Sequence, residues 1–367
     1  MKILHILYSG LGGHGNVFFS MVRADDQNEF EFEALFYGIE EVRDAYVKQA
    51  EEQSIAWNFV KKKPGFELAS YRKIIKIIRR SSPDILFLHS SAYIIPAKFA
   101  ALFSSRKMRI LIRETQPNHL KTRSEWLGLR FSMIAANKII FLSTEYRDAI
   151  KKKMPLLFRQ RKTCVIPNGI DLEIFKPART ASPGVTRIGM QSRLSISKDH
   201  ATLIKAFNIL LGKINTNTKL ELWIAGDGDC RPALEQLAES LSIRDKVFFT
   251  GMLEETALPA FINSLDIYVH ATSGETMSNA IMQVMACRLP IIASDVLGVN
   301  NMVKNDVTGI LVPLADAGKM AGAIESLLND PAKKNTIAEN AYQFAIDNYS
   351  NKKMLASYKN IFLEGNK

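Results

Sequence analysis

The chain has 367 residues, 47% of them hydrophobic and 23% charged; this is the make-up of a folded protein and excludes wholesale disorder. The length exceeds one ordinary core and suits two domains. The formal charge of +11 is uneven: residues 1–180 hold 30 Lys+Arg against 18 Asp+Glu, a net of +12, and residues 181–367 hold 18 against 19, a net of −1, so an acidic partner is met by the first half.

Short apolar runs alternate with helical patterns along the chain. In the first half, strands are predicted at Lys2–Tyr8, Glu31–Tyr37, Ile85–His89, Arg109–Arg113, Lys138–Leu142 and Thr163–Ile166. In the second, they are predicted at Thr186–Met190, Leu220–Ala225, Val247–Thr250, Ile267–His270, Ile291–Ser294 and Gly309–Val312. Near-continuous apolar runs such as Ile3–Tyr8 read as strands buried on both faces of a parallel sheet. Helical segments lie between them, among them Ala69–Arg80, His200–Leu211, Arg231–Ser242 and Ser278–Cys287, with Pro83 and Pro232 as punctuation. The alternation argues for two α/β sheets with right-handed crossovers. The boundary is expected in Lys176–Val185, which follows the turn Pro167-Asn168-Gly169 and holds two prolines and a glycine.

The best candidate for a membrane span, Ser90–Ser105, is interrupted by Pro96 and Lys98, so no transmembrane helix is expected. The N-terminal run reads as a first strand and not as a signal peptide. Cys164, Cys230 and Cys287 lie far apart; this argues against a disulfide framework and a cysteine zinc site, and for a reducing cytoplasm.

Open parallel sheets bind ligands outside the carboxyl ends of their strands. Four loops at such ends carry chemistry. Gly10-Leu11-Gly12-Gly13-His14-Gly15 follows the first strand and precedes a helix. It is either a flexible turn or a close backbone approach to phosphate at a helix N-terminus. Gly226-Asp227-Gly228-Asp229 reads as a tight turn whose acids cap and whose glycines allow close approach. Arg193 and Lys198, five residues apart at a strand exit, are either solvated cations or a diphosphate clamp. Ser273–Asn279 leads into a helix with Ser278 as its N-cap. Glu275 in that loop and Gln283 in the helix can accept from sugar hydroxyls.

These residues carry a resemblance. Val165-Ile166-Pro167-Asn168-Gly169-Ile170-Asp171 with Phe175 and Pro177, Arg193-Leu194 with Lys198, Ala225–Gly228, Thr250-Gly251, Ile267–Thr272, and Glu275 through Cys287 resemble, in order, the motifs of family 4 glycosyltransferases. The match covers nearly the whole chain, with the second half closer than the first. The resemblance implies a GT-B fold of class α/β: two Rossmann-like domains facing across a cleft, with a C-terminal helix crossing back to the first. The expected domains are 1–178 with a helix at about 350–367, and 184–349. It implies transfer of a hexose or N-acetylhexosamine from a nucleotide sugar, usually UDP-linked, with retained anomeric configuration. The acceptor would be a glycan or a lipid-linked molecule in cell-surface polysaccharide or lipopolysaccharide assembly. No metal or cofactor is implied, because the donor is a substrate.

By the same resemblance, Arg193 and Lys198 hold the donor diphosphate, supported by backbone groups of Met277, Ser278 and Asn279. Gly12 and Gly13 line it from the first domain. Glu275 lies near the donor sugar hydroxyls. Gly226, Gly251 and Met252 flank the nucleotide, with Gly251 to Leu253 at the base. Preorganised cations and helix N-termini suit a leaving diphosphate, whose charge grows in the transition state.

The sequence departs from the family pattern twice. Gln283 stands where members commonly carry a second glutamate; it is kept as a ribose-binding residue. The usual catalytic histidine is absent from the strand exit Ile112-Arg113-Glu114-Thr115-Gln116-Pro117-Asn118-His119. Glu114 or His119 takes its place there, or Glu114 simply pairs with Arg113. His89, His14 and Arg113 are candidates for the acceptor side, while His200 and His270 read as structural.

The first domain binds the acceptor in this family, and here it is the basic half. Lys98–Arg130 holds eight Lys+Arg against two Glu, and Arg147–Lys162 holds seven against one Asp. The run Lys151-Lys152-Lys153-Met154-Pro155-Leu156-Leu157-Phe158 suits an anionic leaflet. A peripheral position at the inner face of the plasma membrane is therefore expected; the alternative is a solvated charged face. No basic–aromatic interleaving points to nucleic acid. Two other readings stay open: a nucleotide-sugar epimerase on the same fold, and a catalytically weak partner subunit with Gln283 as the lesion.

Overall fold

The computed structural model describes residues 1–10, 13–65, 67–104, 106–178, 180, 184–213 and 219–364. The chain divides into two compact units, Met1–Gly169 with Asn351–Lys367, and Ile170–Ser350.

Unit 1 alternates strand and helix: β1 (Lys2–Tyr8), α1 (Gly13–Ala24), β2 (Glu31–Gly38), α2 (Asp44–Glu52), β3 (Ala56–Lys61), α3 (Leu68–Ser81), β4 (Ile85–Leu88), α4 (Ile94–Leu102), β5 (Arg109–Glu114), α5 (Arg123–Ala135), β6 (Lys138–Phe141), α6 (Thr144–Lys153) and β7 (Thr163–Val165). The strands pair in the order β3-β2-β1-β4-β5-β6-β7, and every pairing is parallel. The four residues of β4 and the five central ones of β1 are all buried, which is why those segments read as unbroken apolar runs. β3 escapes that reading. It is an edge strand with one partner, and of Ala56–Lys61 only Val60 is buried, so its polar and exposed positions hide it among loop residues.

One face of this sheet packs α1 and α2, the other α3 to α6. The C-terminal helix of the chain completes the first face. Met354, Leu355, Tyr358, Ile361 and Phe362 are buried there beside Phe18 and Phe87; they recur at helical spacing on one stripe. Burying a side chain such as Phe362, fully covered in the structure, stabilises by about 1.5–3 kcal/mol. The Arg109 guanidinium donates to the carbonyl oxygens of Ile361 and Phe362, both at 2.8 Å, and so places a cation where the last helical carbonyls lack partners.

Unit 2 runs β8 (Val185–Gln191), α7 (His200–Lys213), β9 (Lys219–Ala225), α8 (Arg231–Ser240), β10 (Val247–Gly251), α9 (Leu258–Asn263), β11 (Ile267–His270), α10 (Asn279–Ala286), β12 (Ile291–Ser294), β13 (Ile310–Val312), α11 (Ala317–Asn329) and α12 (Pro331–Tyr349). The last helix of the chain, α13 (Asn351–Leu363), is the one already placed in unit 1. The strand order is β10-β9-β8-β11-β12-β13, again wholly parallel.

The division at Gly169 lies ahead of the expected position 178. Ile170 bridges to Ser350, and its N–H donates to the Tyr349 carbonyl at 2.8 Å. Further on, Ala178 N–H donates to the Asn263 side chain at 2.8 Å, which donates back to the Lys176 carbonyl. Proline and small-residue composition marked Lys176–Val185 as a linker, but side-chain hydrogen bonds bind its start to unit 2. Residues 179 and 181–183 of that stretch lie outside the described residues.

Candidate functional site

In unit 2 the candidate site forms where β8, β9, β10 and β11 end. Gln191 closes β8, and the loop after it carries Arg193 and Lys198. That loop is stitched to its neighbour: Ser192 N–H donates to the Ala225 carbonyl at 3.0 Å, Leu194 N–H to the Asp227 carbonyl at 2.9 Å. Gly226 makes this possible. Its φ is +140°, and a Cβ there would lie 1.9 Å from the Ser192 carbonyl oxygen, so only glycine fits. Gly226 N–H also donates to the Gly251 carbonyl at 2.8 Å, which joins the ends of β9 and β10. Met252 follows, 45% exposed. Asp227 pairs with Arg231 at 3.0 Å; the helix that follows has Cys230 as its N-cap and no side-chain cap, so the acids of this turn do not cap it as expected. His200 Nδ1 donates to the Lys198 carbonyl and Nε2 accepts from Ser192 Oγ, each at 3.0 Å. It shapes the loop, as expected.

The centre of the site is an ion pair held by a histidine. Lys198 Nζ lies 2.9 Å from Glu275 Oε1, and His270 Nε2 lies 2.6 Å from the same oxygen. Ser278 Oγ is 3.3 Å from His270 Nε2, and the Tyr268 hydroxyl is 3.3 Å from His270 Nδ1. Assigned from this network, the Nε2 proton is given to Glu275, while the Tyr268 hydroxyl beside Nδ1 donates to the Gln191 carbonyl at 3.2 Å. Burial pushes the Glu275 carboxyl up, but the Lys198 ammonium and the His270 ring outweigh it and hold the group at about 2. Burial lowers His270, more than the Glu275 charge raises it. Glu275 is thus an anion at neutral pH, locked beside a cation. Its backbone is locked as well: Gly298 has φ +88°, and a Cβ there would meet the Glu275 carbonyl oxygen at 1.6 Å.

Helix α10 starts beside the trio. Ser278 is its N-cap, accepting from Ile281 N–H at 3.4 Å. The Ser278 N–H, a backbone donor expected at the ligand, points at Met302 Sδ, 3.2 Å away, a weak acceptor. Met277 and Asn279 flank it, both half-buried. Gln283 sits one turn further in, 5% exposed, and its Oε1 accepts from Gln191 Nε2 at 2.7 Å. Its carbonyl is therefore occupied by a neighbour. Arg193 is exposed on the loop that carries Lys198.

The candidates of unit 1 fall into separate groups. Gly13 opens α1, while Gly12 lies outside the described residues. His14, His89 and Arg113 come together, joined by His5. His5 Nδ1 and His89 Nε2 are 3.0 Å apart, Arg113 Nη1 is 3.5 Å from His89 Nδ1, and His14 Nε2 is 3.1 Å from Thr115 Oγ1. Arg113 Nη2 donates to Asn168 Oδ1. Burial and the Arg113 cation hold His5 and His14 at about 3 and His89 well below its ordinary value. Arg113 is 2% exposed, and among the described residues no carboxylate pairs with it.

Glu114 does not pair with Arg113. Successive strand residues point to opposite faces, and Glu114 meets Lys121 instead, Nζ to Oε1 3.2 Å, with both side chains almost wholly buried. The Tyr146 hydroxyl is 3.5 Å from the same oxygen, and burial raises the Glu114 carboxyl. His119 is exposed on a short turn, Asn118–Leu120, and among the described hydrogen bonds it joins neither cluster. The sequence reading therefore missed His270, Tyr268 and Gln191 as members of the unit 2 site. A polar or aromatic residue at or near the last position of a buried strand was the available signal.

Comparison with known proteins fits this geometry. The family model "Glycosyl transferases group 1" matches residues 174–344, and "Glycosyltransferase Family 4" matches residues 11–174. The chain is 38% identical over 127 residues to alpha-D-kanosaminyltransferase of Streptomyces kanamyceticus, 35% of this chain and 33% of that protein; the match thus spans about a third of that relative's length. It is 23% identical over 315 residues to the UDP-Gal:alpha-D-GlcNAc-diphosphoundecaprenol alpha-1,3-galactosyltransferase of Escherichia coli, 81% of this chain and 80% of that protein. Among solved structures, HepE of Anabaena in complex with UDP and glucose superposes with a TM-score of 0.84 at 19% identity, covering 99% of this chain and 100% of that one. The likeness shows the GT-B fold.

Proposed function

Because the chain belongs to the family 4 glycosyltransferases, we propose that it moves a hexose or N-acetylhexosamine from a UDP-sugar to a glycan or lipid-linked acceptor, with retention and without a metal. The observation that carries this reading is the trio Lys198–Glu275–His270 at the strand ends of unit 2, beside the start of α10. The E. coli relative supports both a UDP-sugar donor and a lipid-linked acceptor.

The chemistry follows from placement. Lys198 and the exposed Arg193 meet the donor diphosphate, and their charge offsets the negative charge that grows there as the glycosidic bond to phosphate breaks. The Glu275 carboxylate keeps Lys198 in place before the donor arrives and accepts from donor sugar hydroxyls afterwards. His270 and Tyr268 are positioning residues that hold Glu275. The leaving phosphate takes the acceptor proton, so no protein nucleophile is required. Gln283, with its carbonyl bound to Gln191, offers its amide N–H groups to the ribose. The basic unit 1 takes the acceptor, at the inner face of an anionic membrane.

The test is a calorimetric titration with UDP and UDP-sugars, followed by NMR of the product's anomeric proton. Millimolar UDP without measurable binding, or a product of inverted configuration, would overturn the reading.

A further inference from the structure

Large exposed apolar side chains gather on two neighbouring helices of unit 1. On α4 and its C-cap, Ile95, Phe99, Leu102 and Phe103 are 43%, 51%, 64% and 66% exposed. Their spacing of four, three and one places them on one stripe. On α5, Leu127, Phe131 and Ile134 are 61%, 42% and 62% exposed, again at spacings of four and three. The two helices pack side by side over the same face of the sheet. Single exposed apolar residues are ordinary, but seven on adjacent helices form a patch that needs a partner.

Charge identifies that partner. No acidic residue occurs anywhere between Asp84 and Glu114. Arg123 and Arg130 are exposed on α5, at helical spacing from Leu127 and Ile134. Lys162 donates to the carbonyl oxygens of Ile134 and Ala136 at 2.8 and 3.0 Å, so the basic turn at Arg159–Lys162 is anchored to the end of α5. Its ammonium feels the charges of Arg159, Arg161 and Lys98, which ties the cation of α4 to the same cluster. Apolar rows flanked by cations suit an anionic bilayer surface, where the rows enter the acyl boundary and the cations stay at the headgroups. A second copy fits poorly. A two-fold interface on this patch would bring two like-charged faces together.

We infer that the outer face of α4 and α5 is the surface by which this protein docks on an anionic lipid bilayer. This deepens the reading of a lipid-linked acceptor but stands on its own surface. It also moves the docking site from the Lys151–Phe158 run. There Leu157 and Phe158 pack into the core of unit 1, and Lys153 lies 3.9 Å over the Trp126 ring; Leu156, 94% exposed, is the one apolar side chain of its Leu-Leu-Phe left outward.

The experiment is flotation of the full chain with vesicles of phosphatidylglycerol and phosphatidylcholine in equal parts, and with phosphatidylcholine alone. Binding is expected only to the anionic vesicles, weakening with salt. The triple change Leu102→Asn, Phe103→Asn, Leu127→Asn should cut the bound fraction by about tenfold while UDP binding in the same sample is unchanged. The pair Lys98→Gln, Arg130→Gln should also reduce it, and flatten its salt dependence. Protein left in solution with anionic vesicles, or flotation unaltered by the apolar changes, overturns the inference. So does a dimer in sedimentation that the triple change dissolves. Failure of UDP binding alone would instead sink the transferase reading.

Discussion

The polar clusters of the two units occupy the same topological place, the carboxyl ends of parallel strands, and are built on opposite electrostatics. In unit 2 a lysine meets a glutamate, and a histidine holds that glutamate from the other side. In unit 1 a deeply buried arginine meets an amide and neutral imidazoles. A buried charge is costly unless it is paired. Unit 2 resolves the cost internally, by pairing, with both side chains only partly buried. Unit 1 resolves it by forcing its histidines to stay neutral. The same fold thus makes one cluster an ion pair and the other a buried cation among neutral rings.

Removing the pair should have the largest effect. If Lys198 meets the leaving group as proposed, Lys198→Ala is expected to lower transfer by about 100-fold, and to raise Glu275 above its value of about 2. Steady-state rates and an NMR titration of the carboxyl would check both. Unchanged transfer would remove the trio from the reaction and erase the contrast between the units.

Acid should next separate the units. An imidazole held below its unfolded value leaves stability intact above about pH 6.5. Between there and its folded value the unfolded chain binds the proton and the folded one does not, so stability falls as pH falls. For His5, fully buried and held at about 3, the loss by pH 5 is about 2 kcal/mol. Glu275 runs later: its contribution is whole above about 4.5 and disappears as pH drops toward 2. Unit 1 has three such lowered histidines, His5, His14 and His89, and unit 2 has two, His200 and His270. Hydrogen exchange against pH should therefore show unit 1 loosening first. Arg113→Met should raise His5 above about 3 but leave it below 6.5, because burial is the larger cause. Equal loosening of both units would break the comparison.

The smallest effect is expected at Ser278. Its change to alanine removes an N-cap and a neighbour of His270 and should cost about 1 kcal/mol in denaturant unfolding. A larger loss would mean that the hydroxyl also anchors the trio.

The strand and helix order was legible because buried parallel strands and their crossover helices write their periods directly into the chain. β3 was not, since an edge strand with one buried residue carries no such period. Arg193, Lys198 and Glu275 were legible as candidates by spacing and position. Their relations were not. Lys198 and Glu275 are 77 residues apart, and nothing in either segment says that His270 joins them. Glu114 and Arg113 are adjacent in the chain, and the strand's alternation sends them to different clusters. Local sequence thus decided the two α/β units, the uneven charge and the residue types at the strand ends. Only the packing of distant loops decided which charge found a partner, since pairing depends on distance in space and burial, neither of which a one-dimensional pattern contains.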